Sequence, residues 1–182
     1  MDHTNITAKK IVLIGLDNGG KTSILLSLQR DINLLSYYSM QPTQGLNIER
    51  FKDRGIEFSI WNFGGQEEYR RQYLQKMDEN FKEVDKVIFV IDIQDIERYE
   101  IALDYLKQII QYLINHKNKA DFSIFLHKFD PNLQNKPEFS EESLSVNLYE
   151  KMKTILPPDF KYDLFKTSIY TVFQKRSFTL NI

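Results

Sequence analysis

The sequence contains no cysteine, and it has only seven glycines, five prolines and one tryptophan among its 182 residues. Without cysteine the chain can form no disulfide bond, no thiolate metal site and no thiol nucleophile. Its three histidines, His3, His116 and His127, lie too far apart along the chain for a local zinc motif. These absences exclude the disulfide-rich and zinc-finger classes of protein.

Long hydrophobic runs are also missing, and no stretch approaches the roughly 20 apolar residues that a transmembrane helix needs. Residues 1–10 lack the apolar core of a signal peptide, and residue 2 is Asp2 rather than the glycine that N-myristoylation requires. Since no cysteine is present, prenylation is excluded as well. We therefore expect a cytoplasmic protein with no direct membrane anchor.

Neither sign of charge dominates, because 24 Lys and Arg residues face 25 Asp and Glu residues. A net charge of −1 argues against nucleic acid as a partner. The hydrophobic share of 42% is enough for a core, so disorder is not expected. The length suits a single domain, which we predict to span residues 1–182.

Apolar runs typical of β-strands alternate with helical patterns along the chain. The predicted strands are 10–15, 46–51, 56–63, 86–93, 122–128 and a last strand and loop over 162–170. The predicted helices are 21–31, 97–117 and 140–156. This alternation predicts the α/β class, with a mainly parallel sheet and helices on both faces. The hairpin 46–63, turning at Gly55, would add one antiparallel edge strand.

The segment "GLDNGGKT", residues 15–22, follows a predicted strand and opens a predicted helix, which is the context of a phosphate-binding loop. Gly15 and Gly20 allow the backbone N–H groups to turn toward an anion. The helix N-terminus adds its partial positive charge. Lys21 would contact the β- and γ-phosphates, and the hydroxyl of Thr22 can ligate Mg²⁺.

A second segment, "HKFD" at residues 127–130, favours guanine as the base. At the end of a strand, Asp130 can accept two hydrogen bonds from guanine, from N1–H and from the 2-amino group, whereas adenine has no such donor pair. The stem of Lys128 can lie along the face of the base. The backbone of "TSI", residues 167–169, can offer an N–H group to the guanine O6.

With these motifs in this order, residues 9 to 175 resemble the small GTPases. The segments "GLDNGGKTS", "PTQGLNIE" and "GGQEEYR" resemble the phosphate loop, switch I and switch II of the Arf family, whereas "HKFD" and "TSIY" in the second half resemble the Rag GTPases. The resemblance implies a Ras-type P-loop NTPase fold with a six-stranded sheet, binding of GTP and GDP with Mg²⁺, and slow GTP hydrolysis. It also implies effector, exchange-factor and GAP proteins as partners, and it leaves a dimer of G domains open.

The resemblance assigns roles to motif residues by position. Gln66 would orient the attacking water, and Thr43 and Lys21 would complete the catalytic group. The metal would be held by Thr22, by Thr43 and, through a water, by Asn62. The nucleotide-binding residues would be Gly15, Asp17, Asn18, Gly19, Gly20, Lys21, Thr22, Ser23, Gly65, His127, Lys128, Asp130, Thr167, Ser168 and Ile169.

Two of these positions depart from the family pattern. Asn62 replaces an aspartate, so it keeps a carbonyl oxygen for a metal-bound water but lacks the negative charge. The substitution is either tolerated or alters the switch, and we expect retained nucleotide binding with changed kinetics. His127 replaces an asparagine and can partly substitute for its hydrogen bonds.

Other features of these families are missing from the sequence. Residues 1–10 contain no amphipathic helix of the Arf type, and too few residues follow Tyr170 for the C-terminal dimerisation domain of Rag proteins. No arginine directly precedes Thr43, and Arg70 and Arg71 are expected on a solvated helix face, so hydrolysis should be slow without a partner's arginine.

Two other functions compete with a GTP-dependent switch. One is a pseudo-GTPase, a binding module that holds nucleotide without efficient hydrolysis because Asn62 replaces the switch II aspartate. The sequence does not separate this alternative from a working switch. The other is a P-loop nucleotide kinase, which would need a lid with arginines and an acceptor site, and neither is found in the sequence.

Overall fold

Strands from both halves of the chain form one mixed sheet at the centre of the molecule. The computed structural model describes residues 8–28 and 35–170. Within them the strands are β1 (Ala8–Gly15), β2 (Leu46–Asp53), β3 (Ile56–Phe63), β4 (Lys86–Asp92), β5 (Asp121–His127) and β6 (Asp163–Lys166). The sheet order is β2-β3-β1-β4-β5-β6. Only β2 and β3 among these neighbours pair antiparallel, so the predicted fold class is confirmed.

The helices lie between the strands, as expected for parallel connections. They are α1 (Lys21–Ser27), α2 (Leu35–Tyr38), α3 (Glu67–Gln75), α4 (Met77–Asn80), α5 (Tyr99–Asn115), α6 (Glu141–Leu144) and α7 (Glu150–Ile155). Short 3₁₀ turns occur at Ile96–Arg98, Leu133–Asn135 and Pro137–Phe139. No helix in the described part of the chain is long and apolar enough to cross a membrane.

Several element boundaries differ from those predicted. The helix predicted over 140–156 begins after Ser140, whose hydroxyl accepts from the N–H of Ser143, but a π-helical turn at Ser145–Tyr149 separates α6 from α7. The last strand covers only Asp163–Lys166 of the predicted 162–170. The end of the helix predicted to residue 31, the start of the N-terminal segment and residues 171–182 lie outside the described residues.

The hairpin of β2 and β3 closes in a two-residue turn at Arg54 and Gly55, with φ angles of 46° and 79°. Two successive positive φ values are typical of the type I′ turn, whose twist matches that of the flanking strands. Trp61 lies on β3 of this hairpin, and its indole N–H donates to Ser59. The Nζ of Lys10, on the neighbouring strand β1, lies 3.8 Å from the centre of the Trp61 ring. The chain's one tryptophan is therefore half-buried against a lysine on the neighbouring strand.

The core has two parts, one on each face of the sheet. Along β4, for example, Phe89 and Ile91 belong to the larger part, whereas Val90 points to the smaller one. The larger part is covered by the apolar side of α5, and the smaller part by Ile24 and Leu25 of α1. Since successive side chains of a strand alternate between faces, strands that are apolar on both sides match helices on both sides.

Candidate functional site

The predicted site residues gather at one edge of the sheet. Because β1, β3, β4, β5 and β6 run parallel to one another, their carboxyl ends lie together. The loops after β1, β3 and β5, together with the segment before β2, surround a cleft of about 310 Å³. Residues predicted from the sequence line most of this cleft, which is formed by Asp17, Asn18, Gly19, Gly20, Lys21, Thr22, Ser23, Tyr37, Met40, Gln41, Pro42, Thr43, Gly65, Gln66 and Lys128.

The phosphate loop connects β1 to α1. Gly20 precedes the helix with a φ of 83°, and its carbonyl accepts the first helical hydrogen bond from Ile24. Lys21 is only 5% exposed, and its amine donates to the carbonyls of Gly15 at 3.1 Å and Leu16 at 2.7 Å. Burial lowers the pKa of Lys21 to about 8. A phosphate group at this loop would supply negative charge directly to the buried amine.

Three side chains predicted to hold a metal meet under the loop. The hydroxyls of Thr22 and Thr43 lie 3.0 Å apart, and the amide nitrogen of Asn62 lies 3.3 Å from each of them. Asn62 is fully buried, and its Oδ1 has no hydrogen-bond partner among the described residues. Hydroxyl and carbonyl oxygens are ligands that Mg²⁺ accepts, so the cluster fits the ion once the amide of Asn62 rotates to present its oxygen in place of its nitrogen.

The residues after β3 close one wall of the cleft. Gly65 lies directly against the phosphate loop, since a Cβ at this position would meet the backbone N of Asp17 at 2.0 Å. The N–H of the preceding Gly64 donates to the carbonyl of Gly45 at 2.9 Å, which joins this wall to the segment before β2. Gln66 borders the cleft, and its buried Oε1 is unpaired within the described part of the chain.

Arg70 does not lie on a solvated face, as the sequence led us to expect. Its guanidinium donates to the carbonyl of Gly65 at 3.1 Å and lies 5.7 Å from the centre of the Tyr105 ring. Arg71 does follow the expectation, because it is exposed and pairs with Glu67 one helical turn earlier. The sequence pattern failed for Arg70 because its partner Tyr105 lies on a distant helix.

His127 ends β5 and packs against the phosphate loop. A Cβ at Gly20 would meet its Cδ2 at 2.4 Å, so only glycine leaves room for the ring. The Nδ1 of His127 lies 2.9 Å from the hydroxyl of Thr167, and the ring itself is buried. Burial lowers the pKa of His127, and the nearby Lys128 lowers it further. His127 therefore lies between the two loops as a neutral ring that packs against Gly20 of the phosphate loop and hydrogen-bonds to Thr167.

Next to His127, the predicted base-binding residues form a second cluster. Lys128 has a φ of 60°, and its Nζ pairs with Asp92 at 2.6 Å. The carboxylate of Asp130 accepts a hydrogen bond from the hydroxyl of Ser168. The backbone carbonyl of Thr167 accepts from the N–H of Phe129 at 3.0 Å. Ile169, which follows Ser168 in the chain, is exposed.

Two residues at the site were missed by the sequence analysis. Arg98 donates to the carboxylate of Asp17 at 2.9 Å and to that of Asp95 at 2.6 Å, so the side chain of Asp17 turns toward Arg98. These two acids raise the pKa of Arg98. Gln94 donates to Asp130 at 2.9 Å. Both residues follow β4, and no local motif marks them.

A glycine-rich loop between β1 and a helix, at the carboxyl edge of a mainly parallel sheet, defines a P-loop nucleotide-binding fold. The model of the ADP-ribosylation factor (Arf) family matches residues 3–172. The chain therefore belongs to the Arf family of small GTPases, which as a class are GTP hydrolases. The match includes the second half, where the resemblance to Rag proteins stays a prediction.

Individual relatives agree with this assignment. The chain is 30% identical to ADP-ribosylation factor F of Dictyostelium discoideum over 152 residues, which covers 82% of this chain and 74% of that protein. It is 32% identical to ADP-ribosylation factor-like protein 5 of Caenorhabditis elegans over 134 residues, covering 73% and 70%. The Arl6 BBS3 small GTPase of Trypanosoma brucei, solved with the nucleotide analogue GppNp, has a similar fold, with a TM-score of 0.68 at 21% identity over 89% of this chain and 87% of that one.

Proposed function

We propose that this Arf-family protein is a single G domain over residues 1–182 that binds GTP and GDP with Mg²⁺ and hydrolyses GTP slowly. One observation carries the proposal. A buried lysine, two converging threonine hydroxyls and an unpaired amide oxygen lie around one glycine-rich loop. A nucleoside triphosphate with Mg²⁺ requires such a cation for its phosphates and such oxygen ligands for its metal ion.

The phosphates would lie along the loop 15–22. Lys21 would exchange its two carbonyl partners for phosphate oxygens, and the backbone N–H groups of the loop would donate to the same oxygens. Thr22, Thr43 and Asn62 are the residues that would hold Mg²⁺, which when bound supplies positive charge to the phosphate oxygens. Since Gly65 lies against the loop, its N–H group would be close enough to donate to the terminal phosphate.

The proposal of slow hydrolysis is supported by the partners of two arginines near the cleft. Arg70 is engaged by Gly65 and Tyr105, and Arg98 by Asp17 and Asp95, so each guanidinium is already held by other groups. Gln66 would orient the attacking water through its unpaired Oε1. We therefore propose that a GAP supplies the missing arginine, and that effectors and exchange factors act as further partners.

The alternative, a pseudo-GTPase, is favoured by one feature of Asn62. In place of a carboxylate, the buried amide directs its nitrogen at the two threonine hydroxyls. An N–H donor at this point cannot accept from a metal-bound water, and the amide must rotate to present its oxygen. Multiple-turnover assays with GTP and Mg²⁺ distinguish the two functions, because a pseudo-GTPase would bind GTP and release no phosphate.

The proposed function is tested by identifying the base that the protein prefers. Nucleotide extracted from the purified protein should elute as GDP or GTP in ion-exchange chromatography. Guanine nucleotides should bind more tightly than adenine nucleotides, by up to roughly 10⁴-fold, because a site built for hydrogen bonds rejects a ligand that lacks them. Asp130→Asn should erase most of this preference, whereas equal affinity of the parent protein for GDP and ADP would refute the function.

A further inference from the structure

Gln94 lies two residues beyond the end of β4, outside every motif of the site. Its amide nitrogen donates to the Oδ2 of Asp130 at 2.9 Å and to the backbone carbonyl of Lys128 at 2.7 Å. Both neighbours are acceptors, so only the NH₂ group of the amide can face them. The two hydrogens of that group match the two acceptors one to one.

The position of Gln94 is itself fixed by the end of β4. Its backbone N–H donates to the Oδ1 of Asp92 at 3.0 Å, while the Oδ2 of the same carboxylate pairs with the amine of Lys128 at 2.6 Å. Asp92 and Gln94 thus hold Lys128 by its side chain and by its carbonyl. This support matters because Lys128 has a φ of 60°, a left-handed conformation that a non-glycine residue adopts at a cost.

The carboxylate of Asp130 is consequently held on both oxygens. Gln94 donates to Oδ2, and the hydroxyl of Ser168 donates to Oδ1. A carboxylate oxygen has two lone pairs, so one position on each oxygen stays available for a ligand. A pair of acceptors fixed in this way matches a ligand edge with two adjacent N–H donors, as on guanine.

We propose that Gln94 is a positioning residue that sets the selectivity for guanine by orienting the carboxylate of Asp130. The inference rests on the proposed function, since it concerns the same base-binding site. Without Gln94, the carboxylate can rotate about its side-chain bonds, and the two-point contact with N1–H and the 2-amino group weakens. A base that makes only one of these contacts loses less binding affinity when the carboxylate can rotate, because a single hydrogen bond tolerates rotation.

The test compares GDP with inosine diphosphate, whose base lacks the 2-amino group. Dissociation constants for both nucleotides are measured in the parent and in Gln94→Ala. We expect the affinity of Gln94→Ala for GDP to fall roughly tenfold, the typical effect of one hydrogen bond to a charged group, and the affinity for inosine diphosphate to fall less. The ratio of the two affinities should therefore drop several-fold.

Two further variants sharpen the test. Gln94→Glu keeps the length of the side chain but places a second carboxylate against Asp130, so it should weaken GDP binding more than Gln94→Ala does. Gln108→Ala is the matched control, because Gln108 also donates to an aspartate, Asp104, at 2.8 Å, but on the exposed surface of α5. This control should bind both nucleotides like the parent.

The outcomes separate this inference from the proposed function. A parent that prefers GDP, together with unchanged GDP-to-inosine-diphosphate ratios in Gln94 variants that melt at the same temperature as the parent, would overturn the role of Gln94 alone. A parent that binds GDP and ADP equally would overturn the proposed function and the inference with it. Melting temperatures of the variants show whether any loss reflects unfolding, which would lower both affinities equally and leave the ratio unchanged.

Discussion

At the scale of single residues, Asn62 is the position where a change of charge should most affect the proposed binding of a metal ion. It is fully buried beside two hydroxyls, and its side chain carries no charge. A carboxylate in its place would attract a divalent ion by a few kcal/mol at an effective dielectric constant of about 20. In the proposed function, the neutral amide would therefore hold Mg²⁺ more weakly than a carboxylate would.

Asn62→Asp should lower the Mg²⁺ concentration needed for half-maximal retention of nucleotide by roughly tenfold or more. The effect should be larger with GDP than with GTP, because Thr43 and the γ-phosphate contribute to holding the metal in the triphosphate state. Release of a fluorescent nucleotide, followed across a Mg²⁺ titration, measures this change. Identical titrations for the parent and the variant would mean that the substitution is merely tolerated.

His127 should make the stability of the fold sensitive to acid. Because burial lowers its pKa below the ordinary 6.5, the unfolded chain binds a proton more readily than the folded one. The stability contributed by the neutral ring is complete above pH 6.5 and is lost as the pH falls toward the lower folded pKa. The slope for one proton is at most about 1.4 kcal/mol per pH unit.

We expect His127→Asn to flatten this dependence between pH 6.5 and pH 5. Urea denaturation at several pH values gives the free energy of unfolding for the parent and the variant. His116→Asn, at an exposed histidine on the end of α5, provides the control for loss of a histidine. A pH profile of His127→Asn that parallels the parent would show that other groups cause the acid sensitivity.

At the scale of elements, the two segments that flank the β2–β3 hairpin reach the phosphate loop together. Thr43 precedes β2 and Gly65 follows β3, and the bond from Gly64 to Gly45 joins the two segments. Gly65 lies so close to the loop that its neighbours are backbone atoms of Leu16 and Asp17, which have no rotamers to adjust. The contact can therefore be relieved only by moving the segment.

Gly65→Ala should displace this segment and weaken GTP binding by roughly tenfold, with a smaller effect on GDP, which lacks the γ-phosphate. Gly55→Ala is the control. Gly55 has a φ of 79°, and a Cβ added there would have no atom within 4 Å. The Gly55→Ala substitution therefore introduces backbone strain of about 1 kcal/mol but no clash. Competition binding gives the ratio of GTP to GDP affinity, and an unchanged ratio in Gly65→Ala would contradict the prediction.

The sequence predicted those elements and contacts that depend on nearby residues. The apolar strands β1, β4 and β5 were found because their alternation with turns is local, and the turn at Gly55 was found because it needs positive φ values. The bonds from Arg98 to Asp17 and from Gln94 to Asp130 span 81 and 36 positions along the chain. Such pairs depend on the position of β4 between β1 and β5 in the sheet, and a local sequence pattern does not predict that position. The π-helical turn at Ser145–Tyr149 likewise has no sequence signal that we recognised.

At the scale of the whole molecule, the loops that form the cleft come from strands spread over most of the sheet. A nucleotide bound there would contact segments near both ends of the described chain, from Gly15 to Ser168. A ligand that binds only the folded state stabilises the entire fold by mass action. The cleft thus couples nucleotide binding to global unfolding.

GDP at 100 times its dissociation constant should stabilise the protein by about 2.7 kcal/mol and raise Tm by roughly 5 to 11 °C. Scanning fluorimetry with GDP, with ADP at the same concentration and with no nucleotide measures this shift. ADP should leave Tm unchanged, because it binds too weakly at that concentration. Equal shifts with both nucleotides would contradict the selectivity assigned to Asp130.

The lysine that covers Trp61 gives the molecule a built-in optical reporter. The sequence has one tryptophan, so intrinsic indole emission arises from a single place in the chain. Trp61 directly precedes Asn62 on β3, and its ring is covered by a charge from the adjacent β1. A shift of the hairpin relative to β1 would move that charge and change the emission. Nucleotide exchange that shifts the hairpin would thus be visible in the unlabelled protein, as a change in emission from the strand that carries Asn62.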